Sequence, residues 1–160
     1  MEPAARPAEA TDQRGAEADA EASKPRILVT EDDRHMRRLI SATLRKDGYE
    51  VVEAEGGVDL LDWIELADRS RAAIFDAIVS DVQMPGRTAI EVLSARRGPR
   101  WKTPVILISA YADEVTRTKA HELGAHILLT KPVDMNDLRA VVHGVVPLHR
   151  ARPEEQTAAA

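Results

Sequence analysis

Apolar positions in this chain switch repeatedly between short continuous runs and helical spacing. Arg26-Ile27-Leu28-Val29-Thr30 reads as a strand and ends in Glu31-Asp32-Asp33. Met36, Leu39, Ile40 and Leu44 then fall at helical spacing, and Gly48 closes that helix. Tyr49 to Ala54 is a second strand, and Val58, Leu61 and Ile64 mark a second helix whose pattern fades after Ala67. The weak stretch from Arg69 to Ala73 predicts an extended loop. Ala77-Ile78-Val79 is a third strand that stops at Asp81, with Met84-Pro85-Gly86 as a loop signal. Thr88 is placed to cap a helix carrying Ile90 and Leu93. Val105 to Ile108 is a continuous apolar run, as expected of a strand covered on both faces. Asp113 to Leu123 is a polar helix ending at Gly124, and His126 to Thr130 is a fifth strand. Asp134 caps a last amphipathic helix through Met135, Leu138, Val141, Val142 and Val145.

Strands alternating with helices imply parallel pairing through right-handed crossovers. The expected fold is a doubly wound, five-stranded parallel sheet of the flavodoxin-like kind, in three α/β/α layers. The folded unit is expected over residues 25–146. Met1 to Lys24 contains no Ile, Leu, Val or aromatic residue, so it reads as a disordered tail. Residues 147–160 read as a second, flexible tail.

Composition narrows the chemistry. The chain has 160 residues, 44% of them hydrophobic but only 3% aromatic, so the core must be aliphatic. A net charge of −5 makes direct nucleic-acid binding unexpected. The absence of cysteine excludes disulfides and thiolate catalysis and fits a cytoplasmic location. No apolar run approaches the roughly 20 residues of a membrane span.

In a parallel sheet the carboxyl ends of all strands share one edge. Glu31 and Asp32, Asp81, Ser109 and Lys131 each follow a different strand, so they converge on one crevice. Like charges ~4 Å apart repel by ~4 kcal/mol at an effective dielectric of 20, so at least one carboxyl there should have a raised pKa without a cation. A set of carboxylates with no Cys or His beside it suits a hard cation, and Mg²⁺ fits best. Taken alone, Glu31-Asp32-Asp33 is equally a good helix cap, Ser109 a backbone-bonded hydroxyl and Lys131 a surface ammonium. Asp81 is then a candidate nucleophile for phosphate, with Lys131, the Ser109 hydroxyl and the Ala110 N–H facing the equatorial oxygens.

Four motifs carry a resemblance: Ile27-Leu-Val-Thr-Glu31-Asp32, Ser80-Asp81-Val-Gln-Met-Pro-Gly86, Pro104-Val-Ile-Leu-Ile-Ser109-Ala110 and Thr130-Lys131-Pro132. In this order and at these strand ends they resemble the response-regulator receiver domain of two-component signalling. The resemblance covers roughly Lys24 to Val146. It implies that Asp81 is the phosphoacceptor, taking phosphate from a sensor histidine kinase or histidine phosphotransfer protein. It further implies that Mg²⁺ is held by Asp32 and Asp81, with Glu31 in support and the Gln83 backbone carbonyl as a further ligand. Ser109 and Lys131 would be the switch hydroxyl and the phosphate-binding lysine, and Lys131-Pro132 a cis peptide. Output would pass through the fourth helix, fifth strand and fifth helix to an unidentified downstream protein.

The chain also departs from that family. Leu128 stands where an aromatic switch residue is common, and Ala89 where glycine is common. Tyr111 is a candidate to take part in the switch instead, or else a surface aromatic packed on the fourth helix. Gln83 and Tyr111 occupy positions that, by the resemblance, tune attack of water on the acyl phosphate. Met36, Arg37 and Arg38 fall in the kinase-docking region by the same resemblance. His35, His121, His126, His143 and His149 read as surface or boundary residues. Arg96 to Lys102 carries four positive charges in seven residues and reads as a solvated helix end. Trp63 and Trp101 read as partly packed side chains.

The leading expectation is a stand-alone phosphorylation switch that promotes its own aspartyl phosphorylation and dephosphorylation and either changes a protein-interaction face or relays phosphate onward. It is not expected to be an enzyme acting on a separate substrate. The alternative is a receiver fold used only for binding, independent of phosphorylation, which Leu128 and Ala89 motivate. An aspartyl-phosphate phosphatase would need a second carboxylate at position 83, which is Gln. A flavin-binding protein would need a Ser/Thr/Gly-rich loop after the first strand. The oligomeric state is left open.

Overall fold

The computed structural model describes residues 24–70, 74–96 and 102–148. Its strands are β1 (Arg26–Thr30), β2 (Glu50–Ala54), β3 (Ala77–Asp81), β4 (Val105–Ser109) and β5 (Ile127–Thr130). The helices between and after them are α1 (Arg34–Asp47), α2 (Gly57–Ser70), α3 (Ala89–Arg96), α4 (Glu114–Glu122) and α5 (Met135–Val145). All strand pairs are parallel, and the order across the sheet is β2-β1-β3-β4-β5. This is the expected doubly wound arrangement, with its change of direction between β1 and β3.

The period of two along each strand sorts its side chains onto two faces. Ile27, Val29, Ala77, Val79, Ile106 and Ile108 meet Ile40 and Leu44 of α1 and Leu138 and Val142 of α5. Leu28, Ile78, Val105 and Leu107 meet Leu60 and Ile64 of α2, Val92 and Leu93 of α3 and Ala120 of α4. Two aliphatic layers thus clothe the sheet, as low aromatic content requires. Trp63 is half-buried and meets Phe75 edge-on, with centroids 5.6 Å apart.

Local signals act largely where the sequence puts them. The Asp33, Thr88, Asp113 and Asp134 side chains accept from backbone N–H groups in the first turns of α1, α3, α4 and α5. Gly48 ends α1 at φ 109°, where a side chain would be strained. Helix α2 runs to Ser70, past the point where its apolar pattern fades; the Ser70 hydroxyl donates back to the Leu66 carbonyl. The loop expected over 69–73 is therefore shorter, and its residues 71–73 lie outside the described chain. So do most of the two expected tails, residues 97–101 of the basic cluster with Trp101, and His149. Leu148, assigned by pattern to the C-terminal tail, packs against the α1/α5 layer.

Candidate functional site

The β1, β3 and β5 ends bring their charged residues together. Asp81 is the last residue of β3 and only 4% exposed. Lys131, directly after β5, donates from Nζ to Asp81 Oδ2 at 2.8 Å and to Glu31 Oε2 at 3.2 Å. Oxygens of Glu31, Asp32 and Asp81 lie within 4.8 Å of one another. Glu31 is buried, whereas Asp32 is exposed at the mouth.

The three consecutive acids divide two jobs between them. Asp33 caps α1 by accepting from the Met36 N–H at 2.8 Å. Glu31 and Asp32 are left to face the crevice, so capping and site formation are both realised. Glu31 is held on every side: its N–H donates to the Ala54 carbonyl, and its Oε1 accepts from the Asp33 N–H. Burial, and then the neighbouring Asp81 charge, push the Glu31 carboxyl up to about 7. That is the raised acid expected of crowded carboxylates, and Glu31 is the member that carries it. For Lys131, burial disfavours the ammonium, but the hydrogen bond and charge of Asp81, and then Glu31, outweigh it and raise its pKa.

Gln83 donates its N–H to Asp81 Oδ1 at 3.2 Å, while its side chain is exposed. The loop that carries it is pinned by buried Val82, Met84 and Ala89 and by the Ala89 N–H to Val82 carbonyl bond. Gly57, the first residue of α2, closes against this loop; a Cβ there would collide with the Arg87 carbonyl. Ser109 is fully buried at the β4 end, and its Oγ accepts from the Tyr111 N–H at 3.0 Å. Its carbonyl accepts from the Lys131 N–H, which ties the β4 and β5 ends together. The Lys131-Pro132 peptide is cis.

Tyr111 is 70% exposed, and among the described residues its ring makes no aromatic pair. Leu128 is half-buried and packs on the layer formed with α2, α3 and α4, in register with Leu107. Neither side chain touches Asp81 through a hydrogen bond.

The family model for the response regulator receiver domain matches residues 27–143. The chain belongs to that family. As a receiver domain it is 34% identical over 131 residues to the transcriptional regulatory protein CpxR of Escherichia coli, covering 82% of this chain and 52% of CpxR. It is 31% identical over 129 residues to the DNA-binding transcriptional regulator NtrC of Rhizobium meliloti, covering 81% of this chain and 25% of NtrC. It thus spans between a quarter and about half of these curated relatives. Among solved structures, the chemotaxis protein CheY4 of Vibrio cholerae superposes with a TM-score of 0.66 at 28% identity, covering 78% of this chain and all of CheY4. The receiver fold and family stated from the four motifs are therefore correct. Among the described residues, no helix is long and apolar enough to cross a membrane.

Two contributors to the site escaped the motif reading. One is Gly57, whose role depends on a contact across the sheet edge. The other is Arg37, which the resemblance had placed only in a docking region. Its spacing with Ile40, Ser41 and Leu44 is the signal that puts it on the buried face of α1.

Proposed function

We propose that this receiver is a phosphorylation-dependent switch in which Asp81 accepts a phosphoryl group from a histidine of a sensor kinase or phosphotransfer protein. The observation that carries this is the buried Asp81 carboxylate held 2.8 Å from Lys131 Nζ, with Glu31 and Asp32 oxygens alongside. An Asp81 oxygen attacks phosphorus, the P–O bond forms as the P–N bond to the histidine breaks, and the imidazole leaves. Lys131 neutralises one phosphoryl oxygen, and Ser109 donates its hydroxyl to another once phosphate is present.

The all-oxygen donor set fits Mg²⁺. Asp32, Asp81, the Gln83 carbonyl and, in support, Glu31 are the residues that would hold it. When bound, Mg²⁺ supplies neutralisation of the charge on the transferring group. The switch unit is residues 25–146, acting in the cytoplasm on a downstream protein through the α4, β5 and α5 face.

A second reading, binding without phosphorylation, is favoured by Leu128, which is packed in an aliphatic layer rather than poised as a mobile ring. The two separate on one experiment with the full chain, Mg²⁺ and acetyl phosphate or a kinase. Wild type should take up phosphate and Asp81→Asn should take up none. Labelling of Asp81→Asn at the wild-type rate would sink the site, and an unlabelled wild type would favour the binding-only reading.

A further inference from the structure

Arg37 is buried to 8% exposure on α1. A charge so placed requires partners. Its nearest is not a carboxylate: Nη1 donates to the Glu31 backbone carbonyl at 2.9 Å. Its ion pairs are longer, 3.5 Å to Glu55 and 3.7 Å to Glu53, and the Glu55 side chain is 77% exposed. Such loose pairs contribute little. Burying a guanidinium for stability alone is also a poor bargain, because an apolar side chain of similar volume often serves as well or better. What the guanidinium does and an apolar group cannot do is fix that carbonyl.

The Glu31 carbonyl belongs to the peptide plane from which Asp32 departs. Asp32 is exposed, and its carboxylate has no hydrogen bond or ion pair among the described residues. Its position beside Glu31 and Asp81 is therefore set by the backbone. That backbone is held by three contacts: the Glu31 N–H on Ala54, the Asp33 N–H on Glu31 Oε1, and the Arg37 guanidinium on the Glu31 carbonyl, the last being the one that grips the peptide leading into Asp32. We infer that Arg37 is a positioning residue for the divalent-cation site: it clamps the Glu31–Asp32 peptide so that the Asp32 carboxylate stays within reach of Glu31 and Asp81. This rests on the Mg²⁺ reading above.

The test measures Mg²⁺ dissociation constants by calorimetry on the full chain. Arg37→Met keeps the buried stem and removes the donors. It should weaken Mg²⁺ binding by ~10–100-fold, the usual cost of losing a group that orients a ligand. Arg37→Lys, which keeps the charge but is shorter and lacks the fork, should fall between Arg37→Met and wild type, and serves if the methionine variant does not fold. Glu55→Gln removes an ion pair but not the clamp and should bind Mg²⁺ as wild type does. Thermal unfolding with and without Mg²⁺ separates positioning from simple stabilisation. A positioning role shrinks the Mg²⁺-induced rise in Tm, whereas a structural role lowers Tm equally in both. Wild-type Mg²⁺ affinity in folded Arg37 variants overturns the inference alone. Weakening by Glu55→Gln equal to that of Arg37→Met also overturns it, since charge and not the clamp would then be at work. A wild type that binds no Mg²⁺ overturns both the inference and the reading beneath it.

Discussion

Glu31 holds a proton more tightly in the folded chain than in the unfolded one. Burial and the Asp81 charge raise its pKa from 4.5 to about 7. Between those values the folded state binds more protons than the unfolded one, so stability falls as pH rises through that window. In EDTA, the urea midpoint should drop between pH 5 and pH 7.5, and Glu31→Gln should remove much of that drop. An unchanged slope in the variant would count against this account. The crowding itself was legible from three acids at two strand ends. Which acid yields was not, because that depends on Glu31 being inside and Asp32 outside, a difference one residue of backbone makes. The same limit applies to Arg37, whose charge suggests solvent until its helical register is set against Ile40 and Leu44.

Elements were legible where the apolar period was strong or a cap was present. Strands β1 and β4 and helix α5 fall within a residue or so of their pattern, and the Asp33, Asp113 and Asp134 caps sit where helices begin. The end of α2 was missed because Asp68, Arg69 and Ser70 continue the helix with no buried side chain to mark it. Close approach between elements leaves even less trace. Glycine to alanine at a helix start ordinarily helps, since glycine costs roughly 0.5–1 kcal/mol in a helix. At Gly57 the sign should reverse, because the new Cβ meets backbone, the Arg87 carbonyl, which cannot swing away. Overpacking of that kind costs ~1–3 kcal/mol. Gly57→Ala should therefore lower the chemical denaturation midpoint, whereas Gly144→Ala, inside α5 with open space around it, should not.

At the scale of the whole molecule, α1 and α5 are joined far from the site in sequence. Asp47, at the end of α1, accepts from Arg139 Nε and Nη2 at 2.7 and 2.8 Å and lies 2.9 Å from His143 Nε2. The Tyr49 ring meets His143 edge-on, and its hydroxyl donates to the Val146 carbonyl at 2.6 Å. The Arg139 hydrogen bond, against some desolvation and aided by His143, lowers the Asp47 pKa. An acid with a depressed folded pKa adds stability that is present above its unfolded pKa and is lost as pH falls through the folded one. Asp47→Ala should lower Tm by a few degrees near neutrality and by less in strong acid. An equal drop at both pH values would show that the clasp is not electrostatic. None of these long-range partners could be paired from the sequence, where His143 looks like any boundary histidine.

That clasp has a mechanical consequence. Helix α5 starts four residues after Lys131, so one end follows whatever the ammonium does. Its middle is moored to Asp47 of α1 through Arg139 and His143, and Val146, just past its end, is tied to Tyr49. A body fastened in this way cannot slide along the sheet when its near end is pulled; it tilts. For the eleven-residue helix Asp47 would then be the fulcrum, which leaves the longest travel to the turn nearest Lys131.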